Sequence, residues 1–144
     1  MSSVLKSKRG ETKFDLIIKA RELCVYTLRI TDNKNVFPIG CQEDLISQIR
    51  NLSIDIFKSL YDANNIDIRK TNKNLKEDFK TRRRYISKAI RECYDLLALI
   101  QIAKPIFHLS SKRIKYWAYL TINVREGARG LKESDRDRLT ANKL

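Results

Sequence analysis

Lys73, Lys76, Lys80, Arg84, Lys88 and Arg91 follow one another at steps of three and four residues. On an α-helix that spacing gathers all six on one broad face. Such a face neutralises phosphates and releases their counterions, so it suits a nucleic-acid backbone while reading no base sequence. Arg82 and Arg83 belong to the same run and are candidates for the same contacts. One of them also falls on the apolar line of its helix. There it either pairs with a carboxylate of the preceding helix, such as Asp55 or Asp62, or faces an oligomer interface or channel. A buried structural ion pair is the simpler account. The competing reading of the whole run is a solvated face that only keeps the chain in solution.

Other chemistry has little to build on. His108 is the only histidine, and Cys24, Cys41 and Cys93 are far apart with no CxxC pair, so a zinc site is not expected. Free cysteines in apolar stretches behave as small hydrophobes. The chain holds no P-loop, GxGxxG, HExxH or nucleophile elbow. His108, close to Pro105, reads as a loop or capping residue. Asp135 and Asp137 would be the ligands of a metal-dependent nuclease, but they alternate with Arg136 and Arg138, and salt pairing accounts for them. Tyr85, Tyr94, Tyr116, Tyr119 and Trp117 have rings that stack on bases, although aromatics at helical spacing more commonly fill a core or an interface. The expectation is a protein without catalytic residues, metal or cofactor.

The elements that must position the basic run are helical. Residues 1–12 form a polar, flexible, basic lead-in, and residues 13–132 form the folded domain. The first helix is expected from Lys13 to about Thr31, with Phe14, Ile17, Cys24 and Leu28 on one line. It is also apolar off that line, at Leu16, Leu23 and Tyr26, and a helix apolar nearly all round is buried on more than one side. A connection through Asn33, Asn35, Pro38 and Gly40 leads to a second helix from about Gln42 to Ala63. The third helix should run from Leu75 to about Ala103, ended by Pro105. The fourth begins at an N-cap, Ser110 or Ser111, and reaches Gly127–Leu131. Ile114, Trp117, Thr121, Val124, Ala128 and Leu131 make its seam, with Tyr116 and Leu120 on a neighbouring face. The charged tail, 133–144, frays or extends it. Four helices with short connections predict an all-α, antiparallel up-and-down four-helix bundle. The surplus apolar residues Leu16, Leu23, Tyr26, Tyr116 and Leu120 predict a homo-oligomer interface.

Composition agrees. The 144 residues carry 30 Lys and Arg against 17 Asp and Glu, a net charge of +13. That charge is uneven: residues 69–104 hold 11 basic and four acidic groups, whereas residues 41–68 hold two and five. Only four Gly and two Pro occur, which disfavours turn-rich β folds. Reduced cysteines and the lack of a signal peptide point to the cytoplasm, and no apolar run is long enough for a membrane span.

The Phe37-Pro38 loop, the Leu45-Ile46-Ser47-Gln48-Ile49-Arg50 helix, the Arg82-Arg83-Arg84-Tyr85 helix and the aromatic last helix ending Lys132-Glu133-Ser134-Asp135-Arg136 together resemble a known group. They are similar to the accessory variability determinants of diversity-generating retroelements and, more distantly, to proteins encoded by intervening sequences in 23S ribosomal RNA genes. The resemblance covers about residues 14–138. It implies a barrel-like homopentamer of four-helix bundles, without activity of its own, that binds nucleic acid (RNA or RNA–DNA) and a reverse transcriptase. Two other classes remain open: a protein-interaction module, and a metal-dependent nuclease.

Overall fold

The computed structural model describes residues 2–69 and 71–141, with the side chains of residues 2–14 outside that description. Lys70 and the last three residues of the tail lie outside it too. The described residues form four helices and no strand: α1 (Ser2–Asp32), α2 (Glu43–Asn64), α3 (Leu75–Phe107) and α4 (Ser111–Ala141). Each helix packs on the one before it, and α1 closes the square against α4. The cross-contacts fix the directions. Leu28 meets Arg50 and Cys24 meets Ser53 between α1 and α2, while Ala63 meets Arg82 and Ser59 meets Lys88 between α2 and α3. Rising numbers on one helix meet falling numbers on the next, so the bundle is antiparallel.

Three helix ends lie beyond their expected bounds, that of α4 by the extension its tail allowed. α1 starts at Ser2 rather than Lys13, which replaces the flexible lead-in by helix, and α4 carries the charged tail to Ala141. Pro105 does not stop α3, which continues to Phe107. So close to a C-terminus a proline removes only one ladder bond, and the stop is made later. His108 takes the left-handed conformation (φ 52°), and the Leu109 amide donates back to the Lys104 carbonyl at 3.0 Å. That is a Schellman-type cap, with Leu109 buried against the helix end. Ser110 then caps α4, its Oγ accepting from the Arg113 amide at 3.2 Å.

The core also corrects the phase of α1. Leu16, Ala20, Leu23, Thr27 and Ile30 face inward, while Ile17, Cys24 and Leu28 are half-buried flanks. Leu16, Leu23 and Leu120 therefore belong to the chain's own core and not to an oligomer interface. Tyr26 is half-buried edge-on to Tyr116, ring centroids 5.0 Å apart. Of the five residues expected at an interface, only Tyr116 is exposed. α4 comes close to α1 at Gly127, where a Cβ would stand 2.8 Å from Leu16 Cδ1.

Polar groups inside the upper half are satisfied in series. Trp117 is fully buried, and its Nε1 donates to Thr27 Oγ1 at 3.0 Å. Thr31 Oγ1 donates to the Thr27 carbonyl (2.7 Å) and accepts from Arg50 Nη1 (2.7 Å), which also reaches the Leu28 carbonyl. The α1–α2 loop turns on Asn33, whose carbonyl accepts from the Val36 and Phe37 amides. Phe37 is thereby set against Phe107 and Trp117, with centroids 4.6 and 6.2 Å away, and closes that end of the bundle.

Candidate nucleic-acid interface

α3 presents the basic face because its opposite side is needed for the core. Leu75, Phe79, Ile86, Cys93, Leu96 and Ile100 point inward, which turns Lys76, Lys80, Arg84, Lys88 and Arg91 to solvent. Lys73 is exposed just ahead of the helix, in the 65–74 link. That link is held down by Asn72, whose Nδ2 donates to the Asp67 carbonyl and to Asp78 Oδ2, both at 2.7 Å. Two of the cations are partly engaged. Lys80 lies 3.4 Å from Glu77, and Lys88 reaches Glu92 (3.3 Å) and Ser59 (3.4 Å).

Arg82 leaves the group expected to touch phosphate. It is 1 % exposed, with Nε donating to Asp135 Oδ2 at 2.6 Å and Nη1 to the Ala63 carbonyl at 3.1 Å. The buried ion pair expected on the apolar line is present, but its carboxylate comes from α4, not from Asp55 or Asp62. One guanidinium thus ties three helices together. Asp135 is 4 % exposed and committed to this pair, which removes it as a candidate metal ligand. No three His, Cys, Asp or Glu side chains converge among the described residues.

The next residue along each helix from the buried pair, Arg83 and Arg136, opens onto the surface. Both line a groove of about 350 Å³ between α3 and α4. Ile90 and Tyr94 form its α3 side, and Arg129, Lys132, Glu133 and Arg136 its α4 side. The lining therefore holds four cations and one carboxylate, and Glu126, just outside it, lies 3.9 Å from Arg129 and 2.9 Å from Arg125. The Arg125 guanidinium lies 4.8 Å from the Tyr94 ring centroid, and Arg129 Nη1 donates to Tyr94 Oη at 3.3 Å. Arg125, Arg129, Lys132 and Arg136 recur at four, three and four, so α4 carries a second basic line beside that of α3. Sequence reasoning missed this line. Its spacing was available, but the alternating signs at 133–138 suggested pairing within the helix.

The thiols play no part in the groove. Burial pushes Cys93 up to about 12, and burial raises Cys24 above its ordinary value, so neither supplies a thiolate at neutral pH. No helix among the described residues is long and apolar enough to cross a membrane.

Fold and surface together define a class: a four-helix bundle with a cationic face on α3 and a cationic groove shared with α4. Comparison with known protein families, with curated proteins and with solved structures finds no match.

Proposed function

We propose that the protein is a non-enzymatic, oligomeric nucleic-acid-binding accessory protein that takes RNA or RNA–DNA along α3. The observation that carries this reading is the union of two basic lines. α3 exposes Lys76, Lys80, Arg84 and Arg91, and the same helix borders a groove lined by Arg83, Arg129, Lys132 and Arg136 with a single glutamate. A solvated face that serves only solubility does not need cations from two helices brought together, because like charges at close range repel. Lys73, ahead of the helix, and Lys88, turned toward Ser59 of α2, add to the track. By its resemblance to the variability determinants, a reverse transcriptase is the protein partner, and assembly into a homopentamer would repeat the track around a barrel. Tyr116, Tyr119 and Ile122, exposed on α4, and Val25, exposed on α1, are the apolar residues offered to that assembly.

The test is the salt dependence of binding to a single-stranded RNA. If six phosphates are neutralised, log Kd should rise with log salt at a slope of about 4. Charge reversal at Lys80, Arg84 and Lys88 should lower that slope by about 2. An affinity independent of salt, or no binding at low salt, rejects the reading. The rival, a protein-interaction module, predicts purified protein free of nucleic acid, with no excess absorbance at 260 nm.

A further inference from the structure

We infer that the α3–α4 groove is a nucleotide subsite that receives an unstacked base against Tyr94 and its flanking phosphates on Arg129, Lys132 and Arg136. The track thereby prefers single-stranded to duplex nucleic acid. This rests on the nucleic-acid reading above and adds to it the form of the strand.

Two independent observations point to the groove. The first is the state of Tyr94. It is 47 % exposed and belongs to no core cluster, yet its ring is held from two sides. Arg125 covers one face of the ring, its guanidinium carbon 4.8 Å from the centroid, and Arg129 fixes the hydroxyl, so a base would stack on the opposite face. A phenol ring on a solvent-facing helix normally lies where its own helix packs it, but this one is fixed at the wall of a recess by residues of the neighbouring helix. An aromatic surface that is both exposed and immobilised is what base stacking requires, and every base offers a π-face to it. The second is the unmatched charge. Arg83 and Lys132 have no carboxylate within 4.0 Å among the described residues, although Lys132 is partly buried. Glu133 is within 3.7 Å of Arg136 and is the one anion of the lining. Arg129 is shared with Glu126 at 3.9 Å, so Arg83 and Lys132 are the two cations of the lining left without a carboxylate among the described residues. A phosphate supplies the missing anion.

Shape separates the two forms of nucleic acid. The recess, open to solvent along one side, has a volume of about 350 Å³, enough to admit a base. A splayed base enters it, whereas in a duplex the bases remain stacked and only phosphates reach the rim. The duplex therefore uses the α3 face and leaves Tyr94 untouched. The same pocket chemistry fits a free nucleotide, so the test must separate the two sources.

The experiment measures fluorescence anisotropy of a labelled uridine oligonucleotide of about ten residues, a duplex of equal length, and competition by uridine monophosphate. It uses the full chain and its Tyr94→Leu and Tyr94→Phe variants, each checked by thermal melting. The single strand should bind at least about fivefold tighter than the duplex. Tyr94→Leu should weaken the single strand about 5- to 50-fold and leave the duplex within about twofold. Tyr94→Phe, which keeps the π-face, should stay near the parent. A 4-thiouridine oligonucleotide should crosslink at Tyr94. Uridine monophosphate that competes only in vast excess identifies a strand as the source. Competition at concentrations like those of the oligonucleotide, lost in Tyr94→Leu, supports the subsite with a free nucleotide as its source. Equal affinity for both forms with no effect of Tyr94→Leu overturns the inference while the nucleic-acid reading stands. Absence of binding to any probe at low salt fails that reading, and the inference falls with it.

Discussion

α3 has a groove on each flank, and the two are alike in size but opposite in character. The α4-side groove measures about 350 Å³ and gathers Arg83, Arg129, Lys132 and Arg136. The α2-side groove measures about 410 Å³ and is lined by Gln48, Asn51, Leu52, Asp55, Asp95, Ala98 and Leu99, with two carboxylates and no cation. Packing two helices leaves such a furrow whatever the residues beside it. What each furrow receives is decided by the charges that line it, and the two linings are opposite in sign. The net charge of +13 therefore understates the contrast, because the acidic α2 subtracts from a field that is local to the other flank.

The largest effect should come from beneath the basic groove. Arg82→Ala leaves Asp135 buried without a counter-charge and the Ala63 carbonyl without its donor. It should cost about 3–5 kcal/mol, measured by denaturant unfolding. Because Arg82 Nη2 and Asp135 Oδ1 have no protein partner, the joint change Arg82→Met with Asp135→Leu should recover most of that loss. Recovery in stability would show that the pair supplies position more than energy. Next in size is the basic groove itself. Arg129→Ala with Arg136→Ala should reduce the salt slope for single-stranded RNA by about 1.4, with the melting temperature little changed.

The acidic flank supplies the matching control. Asp55→Asn with Asp95→Asn should change nucleic-acid affinity by less than about threefold, acting only through the long-range field. An effect as large as that of the arginine changes would erase the distinction between the flanks. The smallest expected effect is at Glu92, buried on the α2 side. Burial lifts its carboxyl above the ordinary value, Lys88 opposes this, and Asp55 adds to it. Ionising Glu92 is thus harder in the fold than in the unfolded chain, so its charge opposes folding at neutral pH. That penalty disappears as pH falls below the ordinary carboxylate value. Glu92→Gln should therefore raise the melting temperature at pH 7 by about 1–4 °C, and the gain should vanish in acid.

Much of the bundle could be read from spacing alone. The α4 seam through Trp117, Thr121, Val124 and Ala128 is buried as its three-and-four steps required. The phase of α1 could not be read, because its apolar residues surround the helix and leave the moment nearly flat. Thr27 is the clearest case. A threonine looks like a surface residue until Trp117, 90 positions later, supplies the indole N–H it accepts. Arg82 was visible as an anomaly on an apolar line, but its partner stands 53 residues on, beyond the reach of any local pattern. The α4 cation line failed for a related reason. The pairing that alternating signs imply is present, Arg125 and Arg129 with Glu126 and Arg136 with Glu133, but only the neighbouring helix shows that these cations also border a groove with Arg83.

The buried pair between α3 and α4 has one further consequence, which concerns entropy. Cations on loops must be ordered when a polyanion arrives, and that ordering subtracts from affinity. Here the backbones that carry Arg83 and Arg136 are already fixed relative to each other, one residue from the atoms that lock them. Only side-chain freedom remains to be lost. On the proposed reading the protein would meet a strand as a rigid gauge of fixed charge spacing, and the strand would do the adapting.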